Sequence, residues 1–299
     1  TNTASLTLAT NKSITGNVVI ANHGTLILNN NNSISGTITT NTNNQGTLEI
    51  ANNYVTTNNI AASSTKLNKI QIDSGATLDA NTNNNELNAT TVSLVSNSST
   101  LDLGSTAVNG DIKGASDGVG VVNFHATYTA AGNIGTSLLS LNTVNVLTNN
   151  TLYVGSYTLD ALHIVLSSGA HLSVTTGTIT GSIESANDGE GVINFDADYT
   201  LTNNLGASGA SFAEVIVAED VSLSNNQYDV YTTNLTLNNN SNLNLTTGSI
   251  YGTIRGASDG VGIVNFNDDN SLQGNVGVSG RTLSAINISS NKTVTANTN

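Results

Sequence analysis

The 299-residue chain contains no proline, cysteine, methionine or tryptophan, and each absence narrows what it can be. Without cysteine there are no disulfides and no thiolate metal sites, and export through a bacterial envelope meets no stray disulfide to obstruct it. The lack of proline suits strands hydrogen-bonded on both edges, where a missing N–H is costly. Cations are scarce: Lys12, Lys66, Lys69, Lys113, Arg255, Arg281 and Lys292 stand against 20 acidic residues, for a net charge of −13. Nucleic-acid binding, which needs clustered Lys and Arg against phosphates, is excluded, and contact with anionic lipid is disfavoured. No apolar run approaches the ~20 residues needed to span a bilayer as a helix. The chain does not begin with Met, so it reads as a processed or excised piece of a longer product.

What remains is a chain dominated by Asn, Thr, Ser and Gly, with 37% apolar residues spread evenly and only 4% aromatics. A disordered chain would be richer in Pro, Glu and Lys. A helical bundle would show a 3.6-residue apolar period, and none appears. Short alternating runs such as Leu235-x-Leu237 and Leu243-x-Leu245, separated by Asn/Gly/Ser turns, predict an all-β fold.

An internal repeat dominates the sequence. GDIKGASDGVGVVNF begins at Gly110, GSIESANDGEGVINF at Gly181 and GTIRGASDGVGIVNF at Gly252, a constant 71-residue interval. The register continues through Gly135, Gly206 and Gly277, and through Val144, Val215 and Ile286. Its invariant positions are Asp117, Gly118, Gly120 and Phe124; Asp188, Gly189, Gly191 and Phe195; and Asp259, Gly260, Gly262 and Phe266. Residues 95–299 follow the repeat, whereas 1–94 are less regular. Nine or ten strands per unit fit about three rungs of roughly 24 residues, each with three faces. The expectation is one continuous right-handed parallel β-helix, a rod of about 12 rungs and roughly 60 Å. An antiparallel barrel or a row of small sandwiches is the alternative. The third unit stops at Asn299 with no amphipathic cap, which predicts either continuation of the protein or end-to-end stacking of copies.

Residues that could carry chemistry read as structural. The Asp-Gly phrase occurs once per repeat, unlike tandem calcium-binding nonapeptides, and lacks the Lys and helix of a phosphate loop. It predicts a tight turn with Gly at positive φ and Asp capping backbone, with a structural calcium site as the alternative. His163 and His171 become Asn234 and Asn242 one repeat later, and His23 and His125 are isolated, so no ligand set recurs. Asp196, Asp198, Asp268 and Asp269 are the candidate carboxylates of a β-helical polysaccharide lyase or hydrolase. The nearest cationic repeat position reads Lys113, Glu184, Arg255, changing sign between copies. No catalytic, cofactor or metal residues are assigned.

The phrases DGVGVVNF (117–124), DGEGVINF (188–195) and DGVGIVNF (259–266), each followed by a G-N-[IV]-G or N-N-L-G phrase, resemble the rickettsial surface cell antigens, autotransporters known as outer membrane proteins A and B. The resemblance implies a passenger region exported through a membrane barrel and displayed outside a bacterial cell. It implies a coat, stalk or adhesin whose partners are host-cell receptors or neighbouring copies, with no catalytic residues to carry over. A self-assembling filament or surface-layer subunit is the second expectation and a carbohydrate-active enzyme the third.

Overall fold

The computed structural model describes residues 4–81 and 84–296, and among them there is no helix: the chain is all-β, with parallel strands wound as a β-solenoid. It divides into two compact units, Thr1–Asn145 with Tyr157–His163, and Val146–Ser156 with Ile164–Asn299, which hold about 14 turns between them. The chain's last three residues, where an uncapped end was expected, lie outside the described residues.

In the first unit the longest ladder runs Ser5–Leu8, Thr25–Leu28, Gln45–Ile50, Leu67–Ile72, Ala89–Leu94 and Asp111–Gly114. Its register stacks Leu6, Leu26, Leu48, Ile70, Val92 and Ile112. Strands form here because β-branched and Leu residues alternate with Thr, Asn, Gln and Lys, so one side chain in two points inward. From Leu26 through Ile112 the stacked residues are at most 1% exposed, and each contributes about 1.5–3 kcal/mol on burial. A second ladder stacks Tyr54, Leu78, Leu101 and Val122, and a third, built of short strands and single bridges, includes Ile38, Ile60 and Leu87. Three faces per turn result. The steps from Leu6 to Leu26 and from Leu26 to Leu48 are each shorter than the rung expected from the repeat, so the turns are more numerous than expected. Tight corners account for this, such as those at Asn11 and Asn31, where a single residue at φ of 60° or 56° turns the chain from one face to the next.

The second unit shows how the 71-residue repeat relates to the winding. Ile193, in the strand Glu190–Phe195, stacks beneath Val215, Leu235 and Ile254 in turn. Three turns thus reach Ile254, which falls short of Val264, the position one full repeat after Ile193. The rest of the interval leads around a corner into the strand Ile263–Phe266, which belongs to a different sheet with Asn242–Leu245 and Ala285–Ile288. One repeat is therefore three turns plus one face. The repeated positions have equivalent surroundings, but successive copies in this unit face different directions.

Candidate functional site

The repeated Asp-Gly turn forms the same clasp three times. In the first unit Asp117 Oδ1 accepts from the backbone N–H (3.2 Å) and the hydroxyl (2.6 Å) of Ser140, one turn further along the chain. The Gly118 N–H donates to the same Ser140 hydroxyl oxygen at 2.9 Å. In the second unit Asp188 Oδ1 takes the Ser211 N–H (3.1 Å) and hydroxyl (2.6 Å), with Gly189 N–H donating back to that hydroxyl at 3.3 Å. Asp259 receives the same pair from Thr282, whose Oγ1 accepts from Gly260 N–H at 3.0 Å. The hydroxyl bond first, and then the backbone bond, hold all three carboxyls below their ordinary range. Asp thus caps the backbone of the next turn.

The two glycines of the phrase have different jobs. Gly118, Gly189 and Gly260 sit at φ of +69° to +74°, as the tight corner requires. Gly120, Gly191 and Gly262 are also at positive φ, and a Cβ there would lie 2.4, 2.7 and 2.3 Å from the Cβ of Leu94, Leu166 and Leu237 respectively. These second glycines let the strand re-enter directly over the aliphatic core. At the far end of that strand, Phe124, Phe195 and Phe266 are among the largest buried side chains, each at most 1% exposed. Phe124 packs on Tyr128 with ring centroids 4.7 Å apart, and Phe195 on Tyr199 at 5.1 Å. Burial pushes the Tyr128 phenol up to about 12.

The carboxylates considered for glycan cleavage are each engaged with a neighbouring turn. Asp196 Oδ2 accepts from the Ser173 hydroxyl at 2.6 Å, and Asp198 Oδ1 from Ser222 N–H at 2.7 Å. Asp268 Oδ1 accepts from Lys292 Nζ at 2.6 Å, a bond that lowers its pKa, and Asp269 Oδ1 caps Thr293 N–H at 2.7 Å. Asp198 and Asp269, one repeat apart, do the same job. Arg255 reaches Glu214 Oε1 at 3.0 Å and Thr236 Oγ1 at 3.1 Å, tying three turns of one face together. Glu184, its equivalent one repeat earlier, instead accepts from the Ser182 hydroxyl at 2.6 Å. His125 Nε2 lies 3.4 Å from Asp102 Oδ1. Among the described residues no group of three or more His, Cys, Asp or Glu converges as a metal-ligand set.

Sequence reasoning missed the partners of the clasp. Ser140, Ser211 and Thr282 share one position of the 71-residue register, and a hydroxyl at that position in every copy could have flagged them. It also missed the capping of backbone N–H groups by Asn at corners. Asn17, Asn30, Asn43, Asn53 and Asn59 each offer Oδ1 to a backbone N–H on the following turn, at 2.9 to 3.2 Å. At corners, where strand pairing lapses, these side chains take the place of the missing backbone acceptor.

Compared with models of protein families, with curated proteins and with solved structures, the chain matches none.

Proposed function

We propose that this chain is a non-enzymatic passenger segment of an exported bacterial surface protein, forming a coat or stalk outside the cell and mediating adhesion. The observation that carries this reading is the thrice-repeated clasp: the recurring carboxylates are spent on fastening one turn to the next, as a scaffold requires. Asp196, Asp198, Asp268 and Asp269 add to it, since each already serves as an acceptor for an adjacent turn rather than facing a partner carboxylate across a cleft. The outward rows of Asn, Thr and Ser offer a polar surface suited to contact over area rather than to engulfing a small substrate. The likeness to rickettsial surface cell antigens supplies the direction of export and display.

Beads coated with the folded chain, offered to cultured animal cells, test the reading. Binding well above that of beads carrying heat-denatured chain, with no release of reducing ends from a panel of polysaccharides, is the expected result. Polysaccharide cleavage that disappears in Asp196→Asn or Asp268→Asn would replace the scaffold with an enzyme.

A further inference from the structure

On the first unit, an outward groove of about 310 Å³ is lined by Lys69, Thr91, Ser93, Lys113, Gly114 and Leu139 among others, and no carboxylate lines it. Two of the chain's seven cations therefore converge on one face, in a molecule of net charge −13. The register explains the convergence. Gln71, Ser93 and Lys113 stack in one outward row on consecutive turns, and Lys69 reaches into that row by donating from Nζ to Gln71 Oε1 at 2.7 Å. The Lys113 amine makes no hydrogen bond or ion pair with any described residue. Between the two lysines lies Ser93, which lines the groove. The nearby carboxylates are held outside the groove. Asp111 Oδ1 accepts from Asn133 N–H at 3.0 Å and Asp73 Oδ1 from Gln71 Nε2 at 2.7 Å. Glu49, one turn beyond Gln71, feels the charge of Lys69 from the side away from Lys113.

We propose that this groove binds the sulfate or carboxylate groups of an acidic glycan. Lys69 and Lys113 supply charge-assisted donors and Ser93 a hydroxyl between them. The two lysines sit on strands two turns, roughly 10 Å, apart, a spacing that successive anionic groups carried on one saccharide chain can match. The proposal rests on the adhesive reading for its source of glycan but not for its chemistry.

Calorimetric titration of the purified chain with a heparin oligosaccharide, at physiological salt, tests it. Binding is expected to weaken about tenfold in Lys69→Ala and in Lys113→Ala, and less in Ser93→Ala. The double lysine variant should lose binding, while Lys12→Ala/Lys66→Ala should keep it, with circular dichroism unchanged throughout. No binding by the unaltered chain, or equal binding by the double lysine variant, overturns the site. Inorganic sulfate binding as tightly as the oligosaccharide overturns the glycan assignment. Heparin binding that depends on both lysines, combined with beads that fail to hold cells, would sink the adhesive reading and leave the groove standing.

Discussion

Residues 4–81 and the three repeats that follow wind in the same way with different fasteners. The former contain no DGxG phrase and no phenylalanine. Their corners are held by single Asn side chains, each accepting one N–H from the turn ahead, as Asn53 does from Thr77 at 3.0 Å. The repeats add the Asp–hydroxyl clasp, which satisfies two donors at once, and a buried Phe at the end of the strand that follows. Winding therefore needs no motif. It needs an oxygen at each corner to receive the backbone N–H that the interrupted strand ladder leaves unpaired, and the clasp is a stronger version of a device the irregular region already uses.

The sharpest break in this comparison comes from the glycines of the clasp. Gly262→Val forces a branched side chain to φ +78° and into the Cβ of Leu237, and should destabilise by about 3–4 kcal/mol in a urea melt. Gly260→Ala, at φ +74° with nothing within 4 Å, should lose only about 1 kcal/mol. Equal effects would mean that crowding against the core is not what fixes the second glycine.

The base and acid limbs of stability sharpen the contrast further. The folded-state phenol of Tyr128 lies near 12, above its unfolded value near 10. The folded chain thus retains that proton longer than the unfolded chain does, and stability should fall between about pH 10 and 12 by on the order of 2 kcal/mol. Tyr128→Phe should flatten that decline in melts run across this range. The clasp carboxyls have folded pKa values below the ordinary 3.8. Their contribution is present above that value and is lost as pH falls through the lower folded one. Asp188→Asn/Asp259→Asn should therefore blunt the acid limb below about pH 4. The smallest effect belongs to the irregular region: Asn53→Ala, which strips one exposed corner bond, should cost about 0.5–1 kcal/mol. Its cost should be the same at acid and neutral pH, since an amide does not titrate.

Much of this was legible in the sequence, for identifiable reasons. Alternation around Leu243 and Leu245 separated inward from outward faces directly, and the 71-residue register located Asp117, Gly120 and Phe124 as one structural phrase. The clasp partner was hidden because Ser140 is one hydroxyl among many, meaningful only once its turn is known to lie above Asp117. The corner Asn residues were hidden by abundance. The groove escaped because Lys69, Ser93 and Lys113 lie on three successive turns and meet only through strand register. The rotation of the repeat escaped for a related reason. A small error in the length of one turn accumulates over three turns, until it erases the difference between whole turns and three turns plus a face.

That rotation is the claim on which the description of the repeat stands, and spin-label distances within the second unit test it. Asn194, Ile216, Thr236 and Arg255 stack in register on one face, so labels at 194 and 255 should lie about 14 Å apart before linkers, three turns of one sheet. Labels at 194 and 265, one full repeat apart, should be clearly farther from each other because Asn265 lies in a different sheet. The reverse order, with 265 the nearer partner, would show that the repeat closes on whole turns and contradict the account.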